Sequence, residues 1–197
     1  MNKPTARQIK KEQTKTLLLN TAFDLFSSQG FLGTRMSDIA KAAGVSHGTV
    51  FLHFNTQEEF IAEVVNHFCN KIALRTHKLS ESSSSLKDLL SAHLDAISEY
   101  EAFYTRLVIE NRMLSQEVRD TFIIAQSAIS LHFSKVLEKI DTSSFSPALL
   151  FNMWIGLIHH YLLNGDIFAP EESVIAAYKA TLTETFSSLL MQQNNKM

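Results

Sequence analysis

Residues 46 to 53 read Ser-His-Gly-Thr-Val-Phe-Leu-His, which places two imidazoles, two hydroxyls and a glycine within eight positions. Side chains of these types ligate metals, move protons or hydrogen-bond to another polar surface. The rest of the sequence narrows the choice. It holds no His-Glu-x-x-His helix, no Glu-x-x-His pair of the di-iron kind and no phosphate-cradling glycine loop. His159 and His160 are adjacent, so they cannot close on one ion from a single helix face, and Cys69 is the only cysteine, so no internal disulfide can form. The sequence therefore assigns no catalytic residue, no metal ligand and no cofactor, and an enzyme is not expected. What remains for this stretch is contact with an external surface.

The elements that must position it read as helices. Six glycines and three prolines in 197 residues, with no alternating apolar and polar runs, predict an all-α chain, and a hydrophobic fraction of 45% can fill a core. Leu18, Ala22, Leu25 and Phe26 predict a first helix over 7–29 with Gly30 as its stop. Met36, Ile39, Ala40 and Ala43 give a short second helix over 34–43, ended by Gly44. Ser46 caps a third, with Val50, Phe51 and Phe54 turned inward, and Thr56 with Glu59 forms a capping box for a fourth that runs towards His77. Two short helices joined through a glycine are a helix-turn-helix. After a serine-rich loop at 80–85, further helices are expected over 86–104, near 106–114, over 116–140 and over 147–164, with a last one opened by Pro170, Glu171 and Glu172. That makes about nine, divided into an N-terminal three-helix head at 1–56 (helix-turn-helix about 35–54) and a helical bundle body at 57–197.

Charge is uneven. Residues 1–57 carry seven Lys/Arg against three acids, whereas the remainder carries eleven against seventeen. A polyanion would therefore meet the N-terminal end. The start of the chain is polar, and its most apolar run, 148–163, is interrupted by Asn152, His159 and His160 and is shorter than the roughly 20 residues a membrane span needs. A soluble, cytoplasmic protein with no membrane partner is expected.

The segment LLNTAFDLFSSQGFLGTRMSDIAKAAGVSHGTVFLHFNTQEEFIAEVV, Leu18 to Val65, resembles the DNA-binding region of the TetR family of bacterial transcriptional regulators. The ordered set Leu25-Phe26, Gly30, Thr34, Ile39-Ala40, Ala43-Gly44-Val45-Ser46, Gly48-Thr49, Phe54 and Glu58 carries the resemblance. It implies a homodimer whose heads dock in successive major grooves of an operator in double-stranded DNA, and a body that holds a small-molecule effector. The function so implied is a transcriptional repressor released by a small, largely hydrophobic ligand. The alternative on the same fold is a nucleoid-bound or division-linked scaffold with no ligand.

With no Lys or Arg in the third helix, the usual bidentate grip on guanine is missing, so base contacts are expected from His47, Thr49 and close backbone approach at Gly48, with Ser37 adding one. Phosphate contacts are expected from Thr34, Arg35, Ser46, His53 and the basic arm of Arg7, Lys10 and Lys11. Phe51 stands where the family often has a phosphate-bonding tyrosine, Gln57 replaces a common lysine, and Arg35 replaces a Ser or Thr that would form a capping box with Asp38. Protonation of His47 and His53 below about pH 6.5 predicts tighter operator binding at pH 6 than at pH 8.

In the body, Phe103 and the polar residues Asn111, Gln126, His132, Asn152 and His159, set within apolar helical stretches, are the effector-binding candidates. The helix over 147–164 is apolar on every side and so needs cover on every side. Trp154, Ile158 and Tyr161 on it, with Tyr178, Leu182 and Phe186 on the last helix, are expected to form an intersubunit four-helix bundle.

Overall fold

The computed structural model describes residues 4–81, 85–138 and 146–191. These form ten α-helices and one 3-10 turn, with no strand among the described residues. Helix α1 (Ala6–Gln29) opens on a reciprocal cap in which the Gln8 N–H donates to the Thr5 hydroxyl and the Thr5 N–H donates to Gln8 Oε1. It ends at Gly30, whose φ of 82° only glycine adopts without strain. Helix α2 (Met36–Ala42) keeps half of a capping box, since the Arg35 N–H donates to Asp38 Oδ2 at 2.9 Å. Gly44, at φ 66°, then turns the chain into α3 (His47–Phe51), where Ser46 Oγ accepts the Thr49 N–H at 3.1 Å. At the start of α4 (Gln57–Ser80) the expected box is modified. Thr56 Oγ1 accepts the Glu59 N–H at 3.0 Å, but the Glu59 carboxylate reaches back one residue further and takes the Asn55 N–H at 2.8 Å.

The body contains α5 (Leu86–Ser98), α6 (Glu101–Glu110), a 3-10 turn (Asn111–Met113), α7 (Gln116–Leu137), α8 (Pro147–Leu163), α9 (Gly165–Phe168) and α10 (Val174–Met191). Two expectations are corrected here. The single helix over 86–104 is broken at Tyr100 (φ −133°, ψ 23°), whose ring packs near Phe23 and Phe68 at 5.9 and 5.8 Å. The last helix starts at Val174, because Ser173 Oγ accepts the Ala176 N–H and the Glu101 carboxylate of α6 accepts the Val174 N–H at 2.8 Å. Pro170, Glu171 and Glu172 lie in the connection from α9. The expected helix over 116–140 ends at Leu137, and its final residues, like residues 82–84 of the serine-rich loop, lie outside the described residues.

The head is joined to the body through α4 and α6. Phe60, in the first turn of α4, stacks on Phe54 at 4.1 Å, while the rest of α4 packs on α5 and α7. Phe23 of α1 meets Phe68 of α4 and Phe103 of α6 at 4.2 and 5.2 Å. One continuous hydrophobic core runs through both parts. Buried Glu110, at the end of α6, accepts the Leu32 N–H of the head at 2.8 Å and lies against the face of Gly30, where a Cβ would collide with its carboxylate.

Candidate nucleic-acid interface and effector site

The outer face of the helix-turn-helix comprises Arg35 and Ser37 at the start of α2, and Ser46, His47, Gly48, Phe51 and Leu52 on and around α3, all exposed; Phe51 is thereby a correction, since only Val50 and Phe54 turn inward. Thr49 and His53 are half-buried beside them. The Thr49 hydroxyl shares a hydrogen bond of 2.8 Å with Ser46 Oγ, and the His47 ring packs edge-on against Phe51 at 4.9 Å. Thr34 is a correction. It is buried, and its hydroxyl donates to the Gly30 carbonyl at 2.7 Å, so the side chain braces the α1–α2 turn and cannot reach a phosphate. Gln57 braces the same turn by donating to the Thr34 carbonyl at 3.2 Å.

Arg7, Lys10 and Lys11 are exposed on α1, whereas Lys15 is paired with Glu63 at 2.8 Å. Partial burial, then the positive charges of Lys11 and Lys15, hold His53 below the usual imidazole range. The pH window in which His53 could add charge at a phosphate is therefore lower than the sequence alone implies.

Inside the body, two short polar chains lie among apolar side chains. Gln126 Nε2 donates to the Tyr104 hydroxyl at 3.3 Å, and that hydroxyl lies 3.1 Å from His159 Nε2, with Phe122 packed against both rings. Burial pushes the Tyr104 phenol up, so it keeps its proton. Deeper, the Trp154 indole N–H donates to His93 Nδ1 at 3.1 Å. An indole can only donate, so Nδ1 is the acceptor and the ring proton sits on Nε2. His93 is 2% exposed, and its Nε2 has no hydrogen-bond partner among the described residues. Burial, assisted by His159, lowers its pKa to about 3, and burial lowers that of His159 to about 4. Both rings are neutral near pH 7.

The model of the bacterial regulatory proteins of the TetR family matches residues 18–64, which span the end of α1, the whole helix-turn-helix and the first turns of α4. The transcriptional repressor Rv3405c of Mycobacterium tuberculosis is 28% identical over 138 residues, covering 70% of this chain and 61% of the relative. The repressor KstR2 of Rhodococcus jostii is 24% identical over 174 residues, covering 86% and 74%. In fold, the chain is similar to FadR of Bacillus subtilis, solved with stearoyl-CoA (TM-score 0.74, 18% identity, 88% of this chain and 97% of that one). It is equally similar to reduced NemR of Escherichia coli (TM-score 0.74, 18% identity, 89% and 96%). Residues 18–64 thus match the DNA-binding region of the TetR family, and the whole chain shares the fold of these regulators. It spans 61% of the length of the Mycobacterium repressor.

Within this fold the candidate effector residues are dispersed. Gln126 and His159 meet through Tyr104. Phe103 instead joins the aromatic cluster between head and body, and Asn152 lies exposed on the outside of α8, so neither belongs with them. His132 lines a surface cleft of about 470 Å³ between α4 and α7, bonded to Ser80 at 2.8 Å and edge-on to His77. Asn111, half-buried in the 3-10 turn, is not in the Tyr104 chain. The dimer assignment is also corrected. Trp154, Ile158, Leu182 and Phe186 are buried in the core of their own protomer. Tyr161 and Tyr178 are half-buried and packed with Phe168 at 4.6 and 5.9 Å. The sequence missed Tyr104 as the hub and Glu110 as the link to the head.

Proposed function

We propose that the protein is a sequence-specific DNA-binding transcriptional regulator of the cytoplasm, a repressor that leaves its operator when the body takes up a small, largely hydrophobic ligand. The observation that carries the DNA part is the matched helix-turn-helix, with Ser37, His47 and Gly48 exposed at its outer face and Thr49 half-buried beside them. Two heads on one operator need a dimer, and an uncovered face supports one. Leu149, Met153 and Leu163 of α8 remain exposed, as do the small residues Ala177 and Ala180 of α10.

The His93 Nε2–H supports the ligand part. A buried donor with no partner costs about 1–3 kcal/mol, and an apolar ligand carrying one acceptor oxygen near Trp154 would relieve it. The Gln126–Tyr104–His159 chain offers a second polar contact alongside. A ligand that favours one arrangement of the body reaches the head through α4 and the Glu110–Leu32 bond, and shifts the spacing of the two heads.

The test is selection of duplexes from a random pool, followed by a thermal-stabilisation screen comparing lipophilic ketones, esters and acids with hydrocarbons of the same shape. Oxygen-bearing compounds that raise the melting temperature should also release the selected duplex. Failure to enrich any duplex would overturn the DNA reading, and stabilisation without release would overturn the effector reading.

A further inference from the structure

An operator-reading helix normally carries long polar side chains, whereas part of the outer face here is apolar, beside the exposed Ser46 and His47. Gly48, Phe51 and Leu52 stand at i, i+3 and i+4 and so share one side of α3 and its C-terminal cap. Leu52 is 78% exposed and Phe51 43%. Leaving a leucine this bare on the head has no internal explanation, since the head core is already closed by Val50, Phe54 and Phe60, all buried. Gly48 is a second anomaly. Its φ is not in the left-handed region, and a Cβ added to it would meet only Ser46 Oγ, at 3.9 Å. Nothing among the described residues demands a glycine there, although glycine in a helix is about 1 kcal/mol worse than alanine. The absent side chain leaves room for something outside. The polar groups nearby are partly engaged, with the Thr49 and Ser46 hydroxyls bonded to each other and the His47 ring resting on Phe51.

In the major groove one base presents an apolar group, the C5 methyl of thymine. A face made of one leucine, one phenylalanine edge and a bare backbone matches that group in shape and polarity. Leucine, phenylalanine and bare backbone offer nothing to the paired acceptors of guanine, and the His47 ring beside them rests on Phe51. We propose that α3 reads its operator chiefly through thymine methyls, with Leu52 as the specificity-determining contact, Phe51 flanking it and Gly48 setting the depth of approach. This inference rests on the reading of the head as DNA-binding. The operator half-site facing α3 is then rich in thymine, and its recognition owes little to hydrogen bonds from arginine or lysine.

Replacing thymine by uracil tests this directly, because it removes the C5 methyl and leaves base pairing unchanged. A duplex enriched by the full-length protein is titrated with each thymine in turn replaced by uracil, at fixed salt, against the natural chain, Leu52→Ala and Gly48→Ala. For the natural chain, one or more replacements should weaken binding roughly fourfold each, the value of burying one methyl group. Leu52→Ala, at an exposed site, should fold normally, bind the unmodified duplex more weakly and lose its response to the same uracil. Gly48→Ala should raise the melting temperature and yet weaken binding. A natural chain indifferent to every uracil, or a Leu52→Ala protein that feels each uracil as the natural chain does, overturns the proposal while leaving DNA binding intact. If no duplex is enriched, the reading beneath it falls too.

Discussion

His93 gives the body a pH dependence with a definite sign. In the unfolded chain its imidazole titrates near 6.5, whereas in the fold burial and then His159 bring it to about 3, and burial brings His159 to about 4. The unfolded state therefore binds more protons throughout this interval. The stability held by the neutral rings is fully present above pH 6.5 and drains away as pH falls through about 4 and 3. By pH 5 the loss from His93 alone is about 2 kcal/mol, taking about 1.4 kcal/mol for each pH unit below 6.5. Urea midpoints at pH 7.5 and pH 5 measure it. His93→Gln keeps an oxygen for the Trp154 N–H and removes the titration, so its midpoint should fall less between the two pH values. Equal falls in both proteins would rule out His93 as the source. Cys69 is the quiet counterpart: fully enclosed, its thiol is pushed up to about 12, which leaves little thiolate to react.

Among the elements, the turn between α1 and α2 carries a link that spans 78 positions of sequence, from Leu32 to Glu110. Gly30→Ala should destabilise the protein in two ways. At φ 82° and ψ 167°, a region essentially confined to glycine, a side chain is strained by about 1–3 kcal/mol, and the new methyl displaces the Glu110 carboxylate from the Leu32 N–H. Glu110→Ala removes the same bond by itself, at a cost of about 1.5–3 kcal/mol for a hydrogen bond to a charged group. Because both changes forfeit one shared interaction, the double variant should lose clearly less than the two single losses added together. Additive losses in denaturant titrations would show that the two groups are not coupled. What could be read in advance follows the range of each interaction. Gly30, Gly44, Ser46 and Thr56 act within a few residues, and each ends or opens a helix as its type requires. The break at Tyr100 and the cap on Val174 were hidden because their causes, Phe23 and Phe68 in one case and Glu101 in the other, come from distant segments. The site divides in the same way. Val50 and Phe54 turn inward as helix period requires, whereas the exposure of Phe51, the burial of Thr34 and the role of Tyr104 depend on surroundings that no local pattern names.

At the scale of the whole molecule, helix α8 shows why composition could foresee an uncovered face but not its residues. A helix apolar all round has to turn one side to its own core, and periodicity does not say which. Trp154 and Ile158 face inward, Trp154 fixed by its bond to His93, and Leu149 and Met153 are left 53% and 54% exposed. Met153→Glu puts a charge in the middle of that face without disturbing the protomer core. If two copies meet there, the natural chain sediments at twice the protomer mass and Met153→Glu at the protomer mass, with helical content unchanged. The operator reports the same event independently. Paired heads must span one DNA turn of about 34–36 Å or a multiple of it, and each head releases its own counterions from the phosphates it covers. The slope of log affinity against log salt should therefore fall by about half when one head binds alone. A Met153→Glu protein that keeps its dimer mass would place the subunit contact elsewhere. One that becomes monomeric yet keeps the full slope would mean that a single head already makes every phosphate contact.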